Sequence, residues 1–368
     1  MDMDYTKNFS DVFAFVRNDR EDVRRMALEG LAQHSKDNVH LHRFLATADD
    51  ESFKAIEAVL QLMNEKGLPF LGHAMTLLIN AAADCSCAEA FVARGVVPRT
   101  MRLLDVLETT DQPIAPILRE MSLMLLNNLT ASHVTAVSTL LQLDDEDLKG
   151  FYLSRLKLFF DRQPEDSSHR DVRKWILQIG VNVTRVPEGQ VAMSEDDEWM
   201  TLLTELLQSA REHSTKMLFA SLAAQALQNC ANSKCTHDNL CKTKLVTHVI
   251  TLLLSSGAPT LQLELQQSLV EILAGLMQSE TGMQKLEEHN TKKLLQGQCN
   301  VYPAGEGAQK KQTSAAAAAA STGDGDSDTS AAAAPSVLHL DVVRFVEVHV
   351  LPFLDDIQDA FVMQGSDE

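Results

Sequence analysis

What most limits the folds open to this chain is one helix design that returns about every fifty residues. It reads DVRRMALEGLAQHS from Asp22, HAMTLLINAAAD from His73, EMSLMLLNNLTAS from Glu120, RKWILQIGVNVTRVPEG from Arg173, SLAAQALQNCANS from Ser221 and SLVEILAGLMQSETG from Ser268. Aligned on the small or Asn position before the final apolar pair, these stretches put Gly30, Asn80, Asn128, Asn182, Asn229 and Gly275 in one phase. Successive spacings are 50, 48, 54, 47 and 46. Armadillo and HEAT units recur every roughly 40–47 residues, and insertions map to their loops. Each helix is apolar nearly all round, as at Met121, Leu123, Met124, Leu125, Leu126 and Leu129, so it must be covered on several sides. In a repeat array this is the inner helix, sandwiched between neighbouring units.

Amphipathic stretches lie between these helices, at Val97 to Leu107, Trp199 to Leu207 and Leu245 to Leu254. Turn signals separate them at Arg94-Gly95, Pro187-Glu188-Gly189 and Ser256-Gly257-Ala258-Pro259. Leu, Ala, Met and Val dominate while aromatics make up 5%, a palette that suits helix-on-helix packing. The pattern predicts an all-α, armadillo/HEAT-like, right-handed superhelical solenoid of about six repeats over residues 1–298. Residues 299–336 carry alanine tracts among Gly, Ser, Thr and Asp, and read as a disordered linker. Residues 337–368 turn apolar again at Val342, Phe345, Val346, Leu351 and Phe353, and read as a C-terminal capping helix followed by an acidic tail.

The balance of 32 Lys and Arg against 51 Asp and Glu gives −19, which repels a phosphate backbone, so no nucleic-acid partner is expected. A basic protein surface is the better complement. Six scattered cysteines and an acidic, polar start without an apolar leader point to reduced thiols in the cytoplasm, or also the nucleus. No run approaches 18 apolar residues, so no membrane association is expected. No glycine-rich phosphate loop appears, and nothing assembles a nucleophile with a base. The expectation is a monomeric protein without cofactor or metal that is not an enzyme.

The sequence resembles the Hgh proteins, a family of eukaryotic cytosolic armadillo-repeat proteins. The likeness rests on DVRRMALEGL, on LLINAAAD followed by AEAFVARGVVPRTMRLL, on MLLNNLT, on GVNVTRVPEGQ, on ALQNCANSKCTHDNL and on LVEILAGLMQSETG. It covers most of residues 10–297. The family's acidic, proline-containing insertion before the penultimate repeat is replaced here by the short stretch from Ser255 to Thr260. The resemblance implies a folding adaptor that binds newly made elongation factor 2 and links it to the cytosolic chaperonin. The alternative is an armadillo-type cargo or assembly adaptor, for nuclear transport or complex assembly, with a different client.

Candidate protein-binding residues come from two patterns. Asn80, Asn128, Asn182 and Asn229 recur in one phase, where a carboxamide can offer a donor and an acceptor to an extended peptide. The same amides can instead satisfy backbone groups inside the array. Import receptors pair such an Asn with Trp four residues earlier; here those positions are Thr76, Met124, Gln178 and Gln225, so no tryptophan ladder exists. Trp175 and Trp199 fall in other phases and read as packing residues. The second pattern is two acidic runs at equal phase, Asp144, Asp145, Glu146 and Asp147, then Glu195, Asp196, Asp197 and Glu198. They are expected to line one rim, where they would steer a basic client or simply form solvated loops. Cys230, Cys235, His237, Cys241 and His248 lack the close Cys pairs of a zinc knuckle.

Overall fold

The structure is a computed structural model that describes residues 5–47, 49–162, 171–211, 214–254, 261–299 and 338–354. Every regular element among these residues is helical. In chain order they are α1 (Tyr5–Phe15), α2 (Glu21–His34), α3 (Val39–Ala46), α4 (Asp50–Leu60), α5 (Leu68–Ala81), α6 (Cys85–Ala93) and α7 (Val96–Thr109). Next come α8 (Ala115–Ser132), α9 (Val134–Leu141), α10 (Phe151–Asp161), α11 (Arg173–Val183), α12 (Pro187–Glu195) and α13 (Asp197–Gln208). The remainder are α14 (Ser214–Ala231), α15 (His237–Lys242), α16 (Leu245–Leu254), α17 (Leu263–Leu276), α18 (Glu280–Glu288), α19 (Thr291–Cys299) and α20 (Leu340–Phe345), which runs into a π-turn at Val346–Val350.

From α3 onward the helices come in threes: a short first helix, an amphipathic second and an apolar third. The starts are set by local chemistry. Asn38, Asp49, Asp84 and Ser279 each accept a hydrogen bond from the backbone N–H three residues on, at 2.8–3.1 Å. These side chains fill a donor that a helix start leaves open. Sharp reversals fall on glycine: Gly95 and Gly150 take φ of 72° and 80°, a backbone region unfavourable to residues with a Cβ.

The chain divides into two compact units, residues 1–202 with 225–230, and residues 203–224 with 231–368. In the first unit the third helices pack side by side in sequence order, α2 on α5, α5 on α8 and α8 on α11. Their shared faces are closed by Leu28, Leu71, Leu78, Leu125, Leu126, Ile176 and Ile179, nearly all wholly buried. Second helices of adjacent repeats are bridged by ion pairs, Arg99 with Glu57 at 3.0 Å and Arg155 with Asp105. These pairs are partly exposed, so each adds modestly to stability and more to register.

In the second unit α16 packs on α17, α15 on α18 and α18 on α19. The segment 338–354 lies against α17 and α19, burying Leu338, Val342, Val343, Val346, Val350 and Leu354. Its start is fixed by the His339 backbone N–H, which donates to Oε1 of buried Gln266 at 2.9 Å. This segment therefore stands where the third helix of a repeat begun by α18 and α19 belongs. The expected linker, apart from Cys299, and the expected acidic tail lie outside the described residues. No helix among the described residues is long and apolar enough to cross a membrane.

Candidate protein-binding surface

Each phased asparagine sits near the end of a third helix and turns its amide toward the third helix before it. Asn80 Nδ2 donates to Ser35 Oγ at 2.9 Å, and Asn128 Nδ2 to the Ile79 carbonyl at 3.0 Å. Asn182 Nδ2 lies 3.1 Å from both the carbonyl and Oδ1 of Asn127 and 3.2 Å from Thr130 Oγ1. Asn229 Nδ2 reaches Thr184 Oγ1 at 3.1 Å and the Val181 carbonyl at 3.3 Å. The acceptors are carbonyl and side-chain oxygens in the last two turns of the preceding third helix or at its C-cap. All four donors are thus engaged between repeats, and Asn182 is buried while the other three keep a half-exposed edge. Asn182→Ala leaves the Asn127 and Thr130 acceptors without this donor, and is expected to lower stability by about 1–3 kcal/mol. Urea unfolding against the parent chain measures it, and a cost near zero would contradict the inter-repeat role.

Four residues before the phase position, the same helices present Met26, Thr76, Met124 and Gln178. Met26 is 72% exposed, and Thr76, Met124 and Gln178 are half-buried. Met121 and exposed Ile117 extend the row along α8. Sequence reasoning counts Met121 and Met124 among the covered apolar residues of their helix, whereas both are half-buried, uses Met124 and Gln178 to exclude a tryptophan ladder, and misses Met26. The shared phase of Met26, Met124 and Gln178 was the available signal. Trp175 is half-buried beside them, donating Nε1–H to Glu120 Oε1 at 3.3 Å under the Lys174 ammonium, 4.6 Å from the ring centroid. Trp199, in contrast, is completely buried.

The two acidic runs occupy equivalent turns. Asp144, Asp145, Glu146 and Asp147 lie between α9 and α10, and Glu195, Asp196, Asp197 and Glu198 span the junction of α12 and α13, with Asp196 between the helices. Both are the turn between first and second helices of consecutive repeats. All eight carboxylates are exposed except that of Asp196, which is half-buried.

The cysteine and histidine group is occupied by ordinary packing. His237 is buried with Nε2 2.8 Å from the Ala231 carbonyl and Nδ1 2.6 Å from Ser279 Oγ, and His248 Nδ1 lies 3.0 Å from the Thr204 carbonyl. No cluster able to hold a metal is found among the described residues. Burial pushes the Cys87 thiol up to about 12 and the Cys299 thiol up to about 11, so neither supplies a thiolate at neutral pH.

Three-helix units whose third helices stack in order define the armadillo-repeat class, and solved structures of that class share this fold. A designed armadillo repeat protein superposes with a TM-score of 0.54 at 15% identity, covering 73% of this chain and 99% of its own. An engineered protein does so with a TM-score of 0.55 at 18% identity, covering 73% and 97%. Among natural proteins, the chain is similar to protein HGH1 homolog of Dictyostelium discoideum, 26% identical over 229 residues. That match takes in 61% of this chain and spans 59% of the length of the relative. It agrees with the Hgh resemblance read from the sequence. No family model matches the chain.

Proposed function

We propose that this repeat scaffold is a folding adaptor that binds newly made elongation factor 2 and links it to the cytosolic chaperonin. The armadillo-like fold and the similarity to the HGH1 homolog support the scaffold, and the Hgh resemblance supports this client and recipient. The observation that carries the reading is the row of Met26, Thr76, Met124 and Gln178 across four neighbouring third helices. It is uncharged, partly apolar and open. Thioether side chains adapt to irregular partners, which suits a client that has not reached its final shape.

Immobilised chain is to be offered newly translated elongation factor 2, with chaperonin added afterwards. Capture of both supports the reading. Recovery of nuclear transport factors from native cytosol in place of elongation factor 2 would favour the cargo-adaptor alternative. Met26→Glu combined with Met124→Glu is expected to weaken client capture about tenfold or more, because each removes apolar burial worth over about 1 kcal/mol. Met26 is open to solvent and Met124 partly so, hence the melting temperature should stay close to that of the parent chain. Undiminished capture by the double variant would remove this face from client binding.

A further inference from the structure

We infer that Leu148 and Phe151, framed by the carboxylates of two consecutive repeats, form a docking surface for a basic polypeptide segment that carries an apolar anchor. The inference rests on the protein-binding reading above and adds a partner chemistry that the row of methionines does not have. Leu148 is 44% exposed and Phe151 48% exposed. The two are held next to each other by the Phe151 N–H, which donates to the Leu148 carbonyl at 2.9 Å. Their turn is fixed from both ends. Asp145 Oδ1 accepts from the N–H groups of Asp147 and Leu148, and the Gly150 N–H donates to the Leu141 carbonyl at 2.9 Å. This apolar pair is therefore presented in a set shape.

The second acidic turn is tied to the same helix. Trp199, at the start of α13, donates its indole N–H to the Leu153 carbonyl of α10 at 3.1 Å. Asp196 Oδ1 in turn accepts from the N–H groups of Glu198 and Trp199 at 3.0 Å. The first acidic turn thus leads into α10, which Phe151 begins, and Trp199 ties the end of the second acidic turn to that same helix through the core.

Charge decides what can dock there. Elsewhere in this unit acidic side chains meet arginines, as Glu57 meets Arg99 and Asp105 meets Arg155. Among the described residues, none of the eight carboxylates in the two turns forms an ion pair, and Lys149 is the one cation between Asp144 and Phe151 or between Glu195 and Trp199. Uncompensated like charge costs free energy that a cationic partner relieves. An acidic turn alone is a solvated loop, and an exposed leucine alone is ordinary. Exposed, turn-fixed apolar side chains inside an unpaired acidic frame select an occupant with Lys or Arg around a Leu, Ile or Phe.

The test uses a short labelled peptide with lysines flanking a Leu-Phe anchor, titrated into the full chain and followed by fluorescence anisotropy. The parent chain is expected to bind it, less tightly as salt rises. A peptide with the anchor changed to serines, and a chain carrying Leu148→Ser and Phe151→Ser, should each bind about tenfold more weakly. A chain with Asp144→Asn, Glu146→Gln, Asp147→Asn and Asp197→Asn should also lose about tenfold and show a flatter salt response. All substituted side chains are exposed, and circular dichroism establishes that the fold is kept. Equal binding of the anchorless peptide, or parent-like binding by either variant chain, would overturn the inference. The peptide contains no client sequence, so this outcome stands apart from whether elongation factor 2 is captured.

Discussion

Replacing Trp199 by alanine is expected to destabilise the chain by about 3–5 kcal/mol, the largest effect of any single substitution proposed. Trp199 is the largest fully buried side chain, and its ring packs within reach of Gly180 on α11. Its indole N–H also holds the Leu153 carbonyl on α10. Truncation therefore opens a cavity and removes a donor together. Trp199→Phe retains most of the volume and should cost about 1–2 kcal/mol from the lost hydrogen bond and remaining void. Urea unfolding followed by circular dichroism separates the two variants. Equal cost for Ala and Phe would mean that the hydrogen bond, not the packing, carries the site.

A second large effect is expected from Gly275→Asn, although asparagine is what four other repeats place in this phase. On α17 a Cβ at position 275 would stand 2.4 Å from the Ala231 carbonyl oxygen and 2.8 Å from its carbon. These are backbone atoms at the end of α14, and they cannot swing aside. Where the other repeats reach across with an amide, this pair of helices closes to direct contact. The substitution is expected to cost about 3 kcal/mol or more, at the upper end of what overpacking usually does. Gly275→Ala should already show much of that loss in the same unfolding assay. A neutral result for Gly275→Ala would show that α17 can move away from α14 at little cost.

Much of the architecture was readable from spacing. The phased helices from His73, Glu120, Arg173 and Ser268 appear as α5, α8, α11 and α17, because a helix apolar on every side has few ways to be covered. The distances in sequence between each Asn and its acceptor, 45 for Asn80 to Ser35 and 55 for Asn182 to Asn127, reproduce the repeat period. What the period could not disclose was the direction of the amides. That depends on how closely one helix approaches the next, a matter of side-chain volumes on two stretches of sequence far apart. Gly275 shows the limit well: in the alignment it stands as a lapsed asparagine, yet it marks a direct approach of backbone to backbone. Leu148 and Phe151 were also missed, since an apolar residue beside a turn reads as core until its exposure is known.

The placement of 338–354 has a consequence for how the polypeptide matures. The last three-helix unit is begun by α18 and α19 and closed by α20, with residues 300–337 intervening. During synthesis the apolar flanks of α17 and α19 must wait for this later stretch of chain to emerge before they are sealed. Joining ends across a longer connector is inexpensive, about 0.6 kcal/mol for each doubling, so the closed form tolerates it. The delay is the greater hazard, because an unsealed greasy edge is what associates wrongly. Assembly of this end is thus a late, long-range closure, whereas the helices near the start can stack as they are made.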